Sequence, residues 1–130
     1  MDAHYRSFQK EVVPACLTKG VGMLGMKSLG GGPSRGRIPS QAGVSAQDCI
    51  RHALSLPVSA LVVGILSMED LKQDVAIGRN FKPMTDAEKA ALVERVKEQA
   101  GDGRHELFKS SKAFDGPHHR KQHGFELGMN

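Results

Sequence analysis

Val21-Gly22-Met23-Leu24-Gly25-Met26, running on into Lys27-Ser28-Leu29-Gly30-Gly31-Gly32, and Val58-Ser59-Ala60-Leu61-Val62-Val63-Gly64-Ile65, running on into Leu66-Ser67-Met68-Glu69-Asp70, decide how this chain is read. Each is a short apolar run that breaks into a turn and then a helical pattern. Strand, loop and helix repeated twice in succession predict an α/β fold with parallel strands. Such a fold sets two loops side by side at the carboxyl ends of neighbouring strands, which is where α/β proteins bind their ligands.

Outward from these runs the helix signals are local. Phe8, Val12, Ala15 and Cys16 share one face of a leading helix in which Pro14 marks a first turn or a kink, and Lys19-Gly20 stops it. Gly22 and Gly25 interrupt the first strand and imply close approach of another backbone or a ligand. The segment from Gly30 to Gly43, rich in Gly, Pro and Ser and carrying Arg35 and Arg37, reads as a loop. Ser45 with Asp48 forms a helix-start box ahead of the apolar stripe Cys49, Ile50, Ala53 and Leu54, and Pro57 ends that helix. Val58 to Ile65, apolar at nearly every position, is expected to be a parallel strand covered on both faces. Ser67 and Asp70 repeat the start signal for a helix with Leu71 and Val75 inward. Thr85 and Glu88 then cap an amphipathic helix carrying Leu92, Val93, Val96 and Ala100. Residues 102–130 lose periodicity and read as an extended tail, whose Leu107, Phe108 and Phe114 could still be pinned onto a larger body.

Composition narrows the function classes. The 130 residues have the apolar and charged content of a soluble globular domain, and the net charge of +4 is a mild excess. Its basic residues are spread out rather than interleaved with aromatics, which argues against a nucleic-acid partner. No apolar run approaches the roughly 18 residues of a membrane span, and the start lacks a secretory pattern. Cys16 and Cys49 have neither disulfide-framework nor zinc spacing and read as small buried hydrophobes of a reducing, cytoplasmic compartment. Two parallel strands with three or four helices cannot close a sheet and would leave long unpaired edges, so the polypeptide is expected to be incomplete.

With these residues in hand, Val21 to Gly32 resembles the seventh-strand segment of the aldo/keto reductases, which are (β/α)₈ TIM barrels. Ala60 to Asp74 is similar to their eighth strand and following helix start, and Asn80 to Thr85 to the approach to their closing helix. The tail, with ELFKSSKAFDG at Glu106 to Gly116, resembles the C-terminal extension of one bacterial branch. The resemblance implies that residues 1–100 are the last two βα units plus closing helix of such a barrel and 101–130 its extension, with most of the barrel upstream of Met1. It implies NADP or NAD as cofactor and, in the complete protein, hydride transfer between that cofactor and a small carbonyl or alcohol substrate.

By the same resemblance Met26 would pack against the nicotinamide, and Lys27, Ser28, Leu29 and Gly30 would approach the pyrophosphate and ribose. Gly64, Ile65, Ser67, Asp70 and Asp74 would line the cleft from the second loop. The residue types suit that chemistry. Consecutive backbone donors and a lysine suit a diphosphate, and a helix start adds its positive end. Gly64 stands where many members carry a lysine, Asp70 where an arginine often grips a 2′-phosphate and Asp74 where asparagine is common. Asp70 should repel a phosphate monoester and Lys72 could offset it, which leaves NAD and NADP both open.

Asp2, His4, Tyr5 and Lys10 contain the four residue types of the family's catalytic tetrad, but one short stretch cannot aim four side chains at a single oxygen. No catalytic residue is therefore assigned, and the chain alone is expected to be inactive. His118, His119 and His123 form a cluster read as an adventitious metal binder at most, and His52 as a surface or partly buried residue. Two other readings stand beside the reductase one. The chain is a shortened product that assembles through its open strand edges with itself or a separate N-terminal half, or it is a small nucleotide-binding sensor.

Overall fold

The computed structural model describes residues 8–31 and 37–100. A π-helical turn, Phe8–Val12, runs directly into α1 (Val13–Thr18). Pro14 explains the junction: it has no N–H to give to the carbonyl of Lys10, and its ring crowds that carbonyl, so the preceding turn widens. Pro14 thus sits in a first turn and also distorts the helix path. The inward residue is Val13, while Phe8 and Val12 are exposed, because the widened turn rotates the expected Phe8/Val12 stripe off the packed side. α1 stops as a Schellman motif. Gly20 takes φ +64, its N–H bonds to the carbonyl of Leu17 at 3.2 Å, and the Val21 N–H bonds to that of Cys16 at 2.9 Å.

β1 (Leu24–Met26) follows, then α2 (Arg37–Gln41), α3 (Ala46–Leu54), β2 (Ala60–Val62), α4 (Met68–Arg79) and α5 (Asp86–Ala100). β1 and β2 pair in parallel, Leu24 opposite Ala60, Gly25 opposite Leu61 and Met26 opposite Val62. The mixed α/β class with a parallel strand pair is therefore present. The strands are three residues long each, shorter than the apolar runs 21–26 and 58–65. The segment 30–43 is not all loop, since α2 lies inside it.

Glycine at position 25 is explained by the pairing. A Cβ there would lie 2.9 Å from Leu61 Cδ1 and 3.5 Å from Val58 Cγ1, and one at Gly22 would lie 3.1 Å from Ser59 Oγ. Both close approaches come from side chains of the second run, so neither glycine marks a ligand.

All three helix-start residues cap their helices, the boxes at Ser45 and Thr85 in both directions and that at Ser67 through its hydroxyl, with Asp70 Oδ2 accepting from the Leu66 N–H. Ser45 Oγ accepts from the Asp48 N–H and Asp48 Oδ2 from the Ser45 N–H. Ser67 Oγ accepts from the Asp70 N–H at 3.1 Å, and Thr85 and Glu88 cap α5 in the same way. The apolar stripe of α3 buries Ile50 and Ala53, but Cys49 and Leu54 are only half-buried, as is Cys16. α5 packs Val96 and Leu92 against Ala42, Val44, Ile38 and Cys49.

Two further expectations of burial fail. Leu71 and Val75 of α4 are exposed, and the sheet face formed by Leu24, Met26 and Val62 is open, with Leu24 at 72% exposure. A strand pair offers one face to α3, and nothing among the described residues lies over the other.

α3 is tied to α5 by Arg51. Its Nε donates to the Lys82 carbonyl at 2.8 Å, Nη2 to that of Pro83 at 3.4 Å, and Nη1 meets Glu88 Oε1 at 2.8 Å. One turn on, Ser55 Oγ donates to the Arg51 carbonyl and accepts from the Met84 N–H at 2.8 Å. A rigid planar fork brings three separate nitrogens to three acceptors, a spread that the single ammonium nitrogen of lysine does not reproduce. Arg51→Lys is expected to lower unfolding free energy by about 0.5–1.5 kcal/mol through the lost bonds to the Lys82 and Pro83 carbonyls, read from urea midpoints at constant slope.

The Thr85 N–H, the Arg51 guanidinium and the Thr85 hydroxyl hold the Glu88 carboxyl at about 2, below its ordinary 4.5. A carboxyl that titrates lower when folded stabilises the fold above its unfolded value and loses that contribution as pH falls. The melting temperature should therefore drop between pH 4.5 and pH 2 in part through this group. Glu88→Gln should flatten that part of the profile; an unchanged slope would exclude Glu88 as its source.

Candidate functional site

The parallel register fixes where the two loops go. With Met26 opposite Val62, the chain leaves both strands at one edge, and Lys27–Gly31 and Val63–Ser67 emerge as neighbours. The ten sequence candidates fall into three groups around that edge.

In the first loop, Lys27 adopts φ 56, a left-handed conformation uncommon outside glycine, and its carbonyl accepts from the Gly30 N–H at 2.9 Å. Gly30 and Gly31 follow at φ 80 and 66. Three left-handed positions in five residues reverse the chain tightly. Lys27 is exposed and Met26 is 60% exposed at the strand end. Ser28 and Leu29 point the other way. Leu29 is buried and its carbonyl accepts from the Ile38 N–H at 3.2 Å, so its side chain serves packing beside α2. Ser28 is 6% exposed, and its Oγ has no hydrogen-bond partner. A buried hydroxyl without a partner costs free energy, and this is the one such side-chain atom found among the described residues.

In the second loop Gly64 is exposed with open space where a Cβ would stand, and Ile65 is exposed. Nothing steric demands glycine at 64. Ser67 spends an acceptor lone pair on the Asp70 N–H and keeps its O–H as a donor.

On α4, Asp70 is half-buried and folds back so that Oδ2 accepts from the Leu66 N–H at 3.1 Å. The acidic group that sequence reasoning set against a 2′-phosphate is thus also a structural latch for the loop. Asp74 lies one turn further, about 6 Å along the axis, and is half-buried, while Lys72 is exposed.

Three clefts lie elsewhere, and none of the ten candidates lines them. One of about 420 Å³ separates α3 from α4 beside Arg51, Asn80 and Phe81. Another of about 420 Å³ lies beside Gln9, His52, Asp86 and Lys89. His52 is buried at its wall rather than at the surface, because α3 turns it into the side covered by α5. Arg51, which no sequence pattern singles out, lines the first cleft, but its donors are engaged in the α3–α5 tie. The pattern that could have revealed it is an arginine in a last helical turn followed by a capping glutamate, too common to single out.

Among the described residues no group of three His, Cys, Asp or Glu could hold a metal, and no helix is long and apolar enough to cross a membrane. Lys10 is exposed, whereas Asp2, His4 and Tyr5, the histidines at 118, 119 and 123, Arg35 and the tail lie outside the described residues. No family model, curated protein or solved structure matches the chain.

Ser67→Ala removes the cap of α4 and should cost about 0.5–2 kcal/mol in stability. Helical content and urea midpoint would show it; an unchanged midpoint would mean that Asp70 alone fastens this loop.

Proposed function

We propose that these two βα units are the nicotinamide-dinucleotide-binding part of an aldo/keto reductase barrel, whose complete form moves hydride between NADP or NAD and a small carbonyl or alcohol substrate. The observation that carries the reading is the shared edge. A tight left-handed loop with a lysine emerges beside the capped start of a twelve-residue helix, both from the carboxyl ends of parallel strands. That is the part of an α/β protein where a diphosphate gains most from backbone donors and the helix dipole.

Within this reading the residues bind and orient. Lys27 and the backbone of Ser28 to Gly30 take the diphosphate oxygens, and Met26 offers an exposed apolar wall to a flat ring. The Ser67 hydroxyl donates to a phosphate or ribose oxygen. The unpartnered Ser28 hydroxyl fits a loop that rearranges when it closes on an anion. Asp74, one turn along α4, faces toward the adenosine side, and Asp70 disfavours a 2′-phosphate to the extent that it leaves the Leu66 N–H. None of these groups is assigned to protonate the alkoxide that hydride transfer develops.

Amide chemical shifts of the full chain, followed during titration with NADPH, NADH and inorganic pyrophosphate, test the reading. Saturable shifts should concentrate in residues 26–31 and 64–74, and Lys27→Glu should weaken them about tenfold. No shift with any of the three, or shifts confined to the α3–α4 cleft, would overturn it.

A further inference from the structure

α5 lies along α3 with two unlike flanks. On one, Asp48 and Arg51 of α3 meet Arg95 and Glu88 of α5 at 2.8 Å each. On the other, α5 brings Asp86, Lys89, Ala90 and Val93, a stripe at helical spacing, to a cleft whose wall on α3 is His52, and the π-helical turn adds Gln9. His52 is only 8% exposed. The Lys89 side chain is 28% exposed and sets its ammonium on Asp86 of its own helix at 2.7 Å.

Among the described residues, the charged groups that face the imidazole come from α5 and are Lys89 and Asp86, and the Asp86 carboxylate stands in solvent with Lys89 already on it. Lys10 and Glu11 of the π-helical turn are exposed and do not line the cleft. On α3 itself Asp48 and Arg51 are engaged on the other flank. β2 carries no charged residue, and α4 meets α3 along Gln47 and Arg51. Lysine and arginine keep their charge throughout and carboxyls finish titrating by about pH 5, so His52 is the side chain at this helix pair whose charge changes between about pH 7 and pH 5. Asp86 and Glu88 lie further outside that window. The hydrogen bond and charge of Lys89 hold the first below its ordinary value, and the second stands at about 2.

A proton on His52 sets a second cation beside Lys89 in a place that water barely reaches. The carbonyl end of α3 favours an imidazolium by at most about thirtyfold, whereas deep burial disfavours one by roughly a thousandfold. We propose that His52 makes the seat of α5 on α3 proton-sensitive: the neutral imidazole packs as a wall of the α3–α5 contact, and the protonated one loosens it. A group that takes up its proton more readily once α5 has moved away stabilises the docked helix above about pH 6.5, and that contribution is lost as pH falls below it. The inference is independent of the dinucleotide reading and uses none of its residues.

Amide hydrogen exchange and imidazole NMR of the full chain test it. Protection factors of the α5 amides, which already correct for the intrinsic pH dependence of exchange, should fall about tenfold between pH 7 and pH 5 while those of α4 hold. His52→Phe keeps a flat ring in the same wall and should abolish the fall. The assigned His52 ring should titrate below the roughly 6.5 of a free histidine, a measurement that needs no variant and stands even where phenylalanine packs poorly. A ring that titrates above that value would mean that Asp86 leaves Lys89 to hold the imidazolium, and would overturn the proposal. Protection of α5 that stays constant or rises on acidification, or a fall equally large in His52→Phe, would overturn it as well.

Discussion

Everything described rests on a parallel register of two three-residue strands, and that register rests on room for it at Gly25. A Cβ at 25 would lie 2.9 Å from Leu61 Cδ1 and push that side chain aside, and one at 22 would press on Ser59 Oγ at 3.1 Å, so glycine lets the two runs lie at this separation with both side chains in place. Hydrogen bonds alone would not hold so short a pair. The Ser59 N–H to the Met23 carbonyl at 2.7 Å and the Met23 N–H to Ser59 Oγ at 3.2 Å extend the attachment below the strands, and α3 covers one face. Because parallel pairing requires a crossover, α2 and α3 are positioned by the same constraint, and α5 in turn by α3.

The second support is electrostatic and local. Arg51 sits where α3 ends, so its charge complements that helix's carbonyl end while its fork satisfies the carbonyls that lead into α5 and the glutamate that caps it. An exposed pair by itself contributes little, but a guanidinium with three acceptors fixes an angle between two helices. That angle decides where the chain stands when α5 ends. The line of dependence runs from a missing Cβ on β1, through the crossover, to the seat of α5.

The candidate site is economical in its own way. Asp70 and Ser67 serve the start of α4 before they can serve any ligand, and Leu29 serves the packing beside α2. What is left facing outward is a lysine in an unusual backbone conformation, an apolar strand end and a hydroxyl. The buried hydroxyl of Ser28 lacks a partner, and that is the one place where the loop carries a local cost that folding does not explain.

The sequence by itself determined what depends on neighbours along the chain. Ser45, Ser67 and Thr85 cap their helices, and Gly20 terminates α1, because caps need only three or four consecutive residues. The order strand, loop, helix, twice, was legible for the same reason, as were the loop residues that share an edge once the strands are parallel. Only the tertiary structure decided burial. Leu71 and Val75 follow helical spacing yet stay exposed, Phe8 and Val12 lose their place to Val13, and His52 goes inside, since which side of an element is covered depends on distant partners. Arg51 was invisible for that reason too: its acceptors lie some thirty positions away, at Lys82, Pro83 and Glu88.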